Sequence, residues 1–277
     1  MGLSLHISIV PLIMMVVSLQ VISLPLGCLQ EERAALLNLK DYINYPNGTS
    51  LPSWRKGDAH CCDWENVGCS SGTRRVTVLN LVVVRKGELG DWYLNASLFL
   101  PFQELNNLVL SSNQIAGWVE NKGVSQPFKM SKLEILDLSY NRINNSILSY
   151  MDGLSSLKTL DISYNRLEGL IDLKVNELII IIIFMYIQNV LKEYPSNLET
   201  LYLSGKNITK VVASGGALPN LTTLGLGDND LRGRVLGDDL RNLSSLEELD
   251  LDGCSLDENS LRSLEALSIE ENCSKSS

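Results

Sequence analysis

The side chains best equipped for chemistry lie close together. His60, Cys61, Cys62 and Cys69 fall within ten residues, and Cys28 is the next cysteine upstream. Thiolates and an imidazole can bind zinc. This spacing fits no zinc arrangement, however, and adjacent cysteines rarely both ligate one ion. In an oxidising compartment the same four thiols form disulfides, and from spacing alone three pairings are open. Acid–base chemistry has little to draw on: the chain holds two histidines, and His6 lies in an apolar N-terminal run, which leaves His60. Asp137, Asp161 and Asp250 are candidate carboxylates, but they recur at one place in a repeating leucine pattern, which marks a solvated face rather than a catalytic pair. No P-loop, Gly-x-Ser-x-Gly elbow, His-Glu-x-x-His or kinase signature is present. The chain reads as non-enzymatic, with no metal or cofactor implied.

The elements that carry these residues begin with residues 1–27, where the apolar run Ile7–Ile22 precedes Pro25-Leu26-Gly27 and predicts a cleaved secretory signal. Residues 28–75 form a small separate unit. Glu31 and Glu32 favour a helix N-terminus, Leu36, Leu39 and Ile43 recur along one helical face, and Pro46-Asn47-Gly48 stops the helix.

Residues 76–277 follow one pattern. Leu133, Leu136, Leu138, Asn141 and Ile143 sit at the offsets of L-x-x-L-x-L-x-x-N-x-L, a leucine-rich repeat that opens each coil with a short strand. The pattern restarts at Val76, Leu105, Leu133, Leu157, Leu198, Leu221 and Leu246, at separations of 29, 28, 24, 41, 23 and 25 residues. About seven coils result, each burying against its neighbours what it cannot bury alone. Asn113, Asn141, Asn165 and Asn229 hold the bend, where a side-chain amide can satisfy backbone groups of the adjacent coil. Cys254 and Lys206 replace it in two coils. A lysine is ill suited to burial, so its coil should be locally irregular. Leu264, Leu267 and Ile269 read as a remnant, only 18 residues after Leu246.

The separation of 41 contains Leu178–Ile187, ten apolar residues in succession. A spanning helix needs about 20, so no membrane span is expected in the mature chain. The run is uncharged, proline-free and β-prone. It reads as an insertion near 175–188. Removing Val175–Gln188 leaves a separation of 27, as excision of a retained short intron would.

Alternation sends the residues between the apolar positions to the concave face. Ile135, Asp137, Tyr140, Thr159, Asp161, Tyr164, Thr200, Tyr202, Asp228, Glu248 and Asp250 should form an acidic, tyrosine-bearing surface for a peptide or protein ligand, with Ser111, Ser139 and Ser163 in the same rows. A net charge of −9 gives no reason to expect nucleic acid. Sequons at Asn47, Asn95, Asn144, Asn207, Asn220, Asn242 and Asn272 predict N-glycosylation and passage through the secretory pathway. Asn220, directly before a strand leucine, is expected to be crowded. Cys254 and Cys273 lie outside the four-cysteine unit.

Together these features resemble the extracellular N-terminal portion of a plant leucine-rich-repeat receptor-like protein, from about Cys28 to Leu267. The most specific motifs are Cys28, the Glu31–Lys40 helix, Leu51-Pro52-Ser53-Trp54, Cys61-Cys62-Asp63-Trp64 and Cys69. The resemblance implies an α/β leucine-rich-repeat solenoid: a curved horseshoe with a parallel β-sheet on its concave face and a small disulfide-bonded helical cap. It implies the pairs Cys28–Cys61 and Cys62–Cys69. It also implies an extracellular or plasma-membrane-associated location, a role in immune or developmental signalling, and a receptor kinase as co-receptor. Only fragments of the family's Gly-x-Ile-Pro element are present, at Gly117-Trp118-Val119, Glu168-Gly169-Leu170-Ile171 and Gly233-Arg234-Val235. The polar end Glu270–Ser277 carries neither cap nor anchor, as in a truncated copy. Two alternatives remain: a secreted inhibitor of a pathogen's cell-wall-degrading enzyme, similar to polygalacturonase-inhibiting proteins, and a truncated non-functional product.

Overall fold

The computed structural model describes residues 28–86, 89–119, 130–150, 154–173, 197–213, 218–231, 239–256, 258–265 and 270–272. The expected signal at 1–27, the insertion at 175–188, Leu267, Ile269, Cys273 and the fragment Gly233-Arg234-Val235 lie outside the described residues.

Helix α1 (Gln30–Asn44) is followed by β1 (Val67–Cys69), β2 (Val76–Asn80), β3 (Trp92–Leu94) and β4 (Asn107–Val109). Next come β5 (Ile115–Trp118), β6 (Ile135–Asp137), β7 (Thr159–Asp161) and β8 (Gly169–Asp172). The chain continues through β9 (Thr200–Tyr202), β10 (Ile208–Val212), β11 (Thr223–Gly225), β12 (Glu248–Asp250), α2 (Glu258–Glu265) and β13 (Glu270–Asn272). A single nine-stranded sheet runs in the order β1-β2-β4-β6-β7-β9-β11-β12-β13 and is parallel except where β1 meets β2.

Its register follows the leucines. Leu79, Leu108, Leu136, Leu160, Leu201, Leu224 and Leu249 stand opposite one another from strand to strand, and each is at most 2% exposed. Burying each contributes about 2 kcal/mol, which a lone coil could not obtain. Strands β7 and β9 pair in full register although the chain between them is long, so the separation of 41 leaves the sheet's register unchanged. Beyond β12 the structure departs from the sequence pattern. The next strand is β13, with Glu271 opposite Leu249, whereas Leu264 of the expected remnant is buried in α2. Pairing here relies on backbone hydrogen bonds and needs no leucine at that place.

Two small parallel sheets, β3 with β5 and β8 with β10, lie outside the main one. They contain two of the fragments, Gly117-Trp118 and Gly169-Leu170-Ile171.

The cap covers the first coil. Disulfides join Cys28 to Cys61 and Cys62 to Cys69, with Cα atoms 5.7 and 5.6 Å apart, as the resemblance implied. Trp54 and Trp64 stack with centroids 5.9 Å apart, and their indoles donate to the Glu65 carbonyl and the Asp58 carboxylate. Two charged side chains bolt this unit to the repeats. Glu32, fully buried, pairs with Arg75 Nε at 2.9 Å and accepts from the Val76 N–H at 3.2 Å. Arg85, also buried, donates to the carbonyls of Ile43 and Tyr45 at the end of α1, each at 3.0 Å, and lies over the Trp92 ring. Burial pushes the Arg85 pKa down, while the helix C-terminus is where a cation is best placed.

The asparagines form a ladder. Asn113 Nδ2 donates to the Leu81 carbonyl of the preceding coil at 2.6 Å, and its Oδ1 accepts from the Arg85 N–H at 2.9 Å. Asn141 reaches the Leu110 carbonyl at 3.0 Å and accepts from the N–H groups of Asn113 and Ile115. Asn165 does the same with Leu138 and Ile143, and Asn229 with Leu203 and Ile208. The Cys254 thiol donates to the Leu226 carbonyl at 3.1 Å, so a cysteine fills half of the asparagine's task. Lys206 leaves its rung empty and is exposed. Val83, Ser112, Tyr140, Tyr164, Asp228 and Gly253 occupy one bend position and are left-handed, with φ between 53° and 71°. Gly205, at that position in the lysine coil, is not left-handed. The expected irregularity is therefore confined to the bend, while the strand stays in register.

Breaking the buried pair with Glu32→Gln should cost about 3 kcal/mol. Glu31→Gln, at the exposed start of the same helix, should change little, and urea unfolding compares the two. By the same measurement Asn141→Ala should cost about 3 kcal/mol, because it strands the buried N–H groups of Asn113 and Ile115. Lys206→Asn, which supplies the missing rung, should gain about 1 kcal/mol. A neutral Asn141→Ala would refute the ladder as a source of stability.

Candidate ligand-binding face

Parallel register turns each coil's outward residues into rows. One row reads Ile135, Thr159, Thr200, Thr223, Glu248; the next reads Asp137, Asp161, Tyr202, Gly225, Asp250. All these side chains except buried Gly225 reach solvent.

In the second row each aspartate spends one oxygen on its own bend. Asp137 Oδ1 accepts from the Ser139 N–H at 2.9 Å and from its hydroxyl at 2.7 Å. Asp161 Oδ1 accepts from Ser163 N–H and Asp250 Oδ1 from Asp252 N–H, both at 2.9 Å. Burial raises the Asp161 pKa, against its bonds to Ser163, and neighbouring Asp137 adds to the rise. The serines two residues on are not contact residues: Ser111, Ser139 and Ser163 are buried, because the chain is already turning inward there.

Tyr202 lies flat over Gly225. A Cβ on Gly225 would come within 2.5 Å of its ring, so only glycine lets the phenol settle on the sheet. Burial first, then the charges of Glu248, Asp161 and Asp250, raise its pKa. Alternation puts Gly225 on the concave face, and a glycine inside a strand is the signal that marks its close approach.

A second group stands at the rim. Tyr140 and Tyr164 stack, with centroids 4.5 Å apart and planes 15° from parallel. The Tyr164 hydroxyl donates to Asp228 Oδ2 at 2.7 Å, across the coil whose bend residue is Gly205. That bond, then burial, pushes the Tyr164 pKa up to about 12. Asp228 in turn sits against Gly253, where a Cβ would clash with its carboxylate.

The eleven expected face residues thus fall into a sheet group and a rim group on one side. The other expected sites lie elsewhere. His60 is exposed on the cap beside Asp58, and all four cap cysteines are in disulfides. Among the sequons, Asn47, Asn144, Asn207, Asn220 and Asn242 are exposed and Asn95 is half-buried. The crowding expected at Asn220 is absent, since the residue is exposed. Asn272 lies in β13, opposite Asp250 in the register. Among the described residues no helix is long and apolar enough to cross a membrane.

A stacked-coil solenoid with such a cap defines a class. The leucine rich repeat N-terminal domain matches residues 29–70, and leucine rich repeat models match 129–151, 156–178, 196–256 and 245–273. The chain belongs to the leucine-rich-repeat family. Among individual proteins it is similar to plant receptor-like proteins. It is 33% identical to Cuscuta receptor 1 of Solanum lycopersicum over 234 residues, 81% of this chain and 20% of that protein. It is 36% identical to receptor-like protein 9a of Arabidopsis thaliana over 211 residues, 76% of this chain and 20% of that protein. The chain therefore spans about a fifth of the length of these relatives. Its fold is similar to that of the ectodomain of the Arabidopsis receptor kinase HAESA, solved in complex with an IDA peptide hormone ligand. The TM-score is 0.53 at 23% identity, over 89% of this chain and 42% of that one.

The rim bond has a spectroscopic consequence. A tyrosine with a raised pKa keeps its proton favourably below pH 10 and loses that advantage as pH climbs through the folded value of about 12. Ultraviolet titration of the folded chain should show a late-ionising tyrosine. Asp228→Asn should bring that tyrosine's ionisation down towards the ordinary range, with burial and Tyr140 still holding it somewhat above; an unchanged curve would count against the bond.

Proposed function

We propose that the chain is a non-enzymatic extracellular recognition module, which holds a peptide or protein ligand across the concave face and acts at the cell surface with a receptor kinase as partner. The observation that carries the reading is the register that puts Asp137, Asp161 and Tyr202 on adjacent strands, with Asp250 next beyond Gly225. Carboxylates on both sides of a flat aromatic ring suit a basic, extended segment: an arginine can stack on the ring and pair with a carboxylate at once. The similarity to receptor-like proteins supports the receptor role, and the peptide hormone held by the HAESA ectodomain supports a peptide as ligand.

Selection of random peptides on the immobilised chain tests this. Enriched peptides should be basic, should bind less tightly as salt rises, and should lose about 100-fold or more in affinity for a Tyr140→Ala, Asp161→Ala, Tyr164→Ala variant, because several contacts of 1 kcal/mol or more are removed together. Selected peptides that bind the triple variant as well as the parent would rule this face out.

A further inference from the structure

Lys206, kept out of the ladder, turns to the flank of the solenoid. There it lines an open depression of about 730 Å3 together with Asn145, Glu168, Leu170, Asn207, Thr209 and Asp230. Three observations bear on what fills it.

One wall is preset. The Asn145 side chain donates to the Glu168 carbonyl at 2.8 Å and accepts from the Glu168 N–H at 3.0 Å, and the Gly169 N–H donates to the Asn207 carbonyl at 2.8 Å. The edge is re-aimed. Register between β8 and β10 slips between Ile208 and Lys210, so Ile208 is buried while Thr209 is pushed outward. Bulges of this kind redirect a side chain at the margin of a sheet. The lining is mixed. Leu170 is 55% exposed, with the charged groups of Glu168, Lys206 and Asp230 around it. An apolar patch ringed by hydrogen-bonding groups is what a sugar ring requires, since its C–H face packs on the former and its hydroxyls bond the latter.

Asn207-Ile208-Thr209 is itself a sequon, so the sugar would arrive already tethered at the edge of the depression. We propose that this depression seats the first N-acetylglucosamine residues of a glycan carried by Asn207. In the transfer, the Asn207 amide nitrogen bonds the anomeric carbon of a lipid-linked oligosaccharide. The anomeric C–O bond to the pyrophosphate carrier breaks, and an amide proton is lost. The seated sugars cover Leu170 and brace the coil in which Lys206 leaves the rung empty. The inference rests on passage of the chain through the secretory pathway.

The test uses the full chain secreted from plant cells, with glycopeptide mass spectrometry following glycoamidase digestion of the folded protein. Asn207 should be occupied, and its glycan should be released about tenfold more slowly than those of Asn47 or Asn144, the protection expected of one or two net hydrogen bonds. Denaturation should abolish the difference. Leu170→Asp should speed native release at Asn207 without lowering its occupancy. A bare Asn207 beside a glycosylated Asn47 or Asn144, or equal native release, overturns the inference alone. Bare asparagines at every sequon overturn the secretory reading and this inference with it.

Discussion

A chain that coils back on itself must bury its bends, and a buried bend leaves backbone N–H and carbonyl groups without water. The solenoid depends on how that is resolved. An asparagine amide is short, carries both donors and an acceptor, and can bond the coil before it and its own coil at once. Asn113, Asn141, Asn165 and Asn229 do this, and the leucine strands can then stack at the spacing that parallel pairing requires. The left-handed residue beside each asparagine follows from the same geometry. At roughly 1 kcal/mol or more for a non-glycine residue, the five such positions at Val83, Ser112, Tyr140, Tyr164 and Asp228 persist only because the stacked coils over-determine them.

The cap solves the corresponding problem at one end. A first coil has no predecessor to cover its apolar layer, and α1 with its tryptophans and disulfides takes that place. Polar anchoring supplements apolar contact here: Glu32 meets the backbone where β2 begins, and Arg85 draws in the carbonyls at the end of α1. Both are buried charges with hydrogen-bond partners, an arrangement that fixes orientation more than it adds stability. The rows of the concave face therefore start from a fixed origin.

Much of this was legible in the residues, because leucine and asparagine spacing maps directly onto strand and bend. The strand of every expected coil falls where Leu79, Leu108, Leu136, Leu160, Leu201, Leu224 and Leu249 place it. Cap pairing came from resemblance, since spacing left it open. What escaped has a physical reason in each case. Strand β13 carries Glu271 where a leucine was sought. Gly225 matters through the atom it lacks: alternation marks its place on the face but not the Tyr202 ring that settles there. The Tyr140–Tyr164 stack joins equivalent left-handed bends of adjacent coils, past the strands that alternation describes. Ser139 and Ser163 alternate like face residues, yet they fall past the strand's end, where alternation no longer applies.

The pairing of β7 with β9 reaches further than local geometry. Asp161 faces Tyr202 as squarely as Asp137 faces Asp161, although the stretches of chain between them differ in length. A residue's address on the concave face is thus a coil number and an offset within the coil, not a distance along the chain. Material inserted between coils shifts every later residue number and leaves the mosaic of neighbours intact. Such a surface can be edited one coil at a time, by exchange or duplication of whole turns, while the tiles on either side keep their partners.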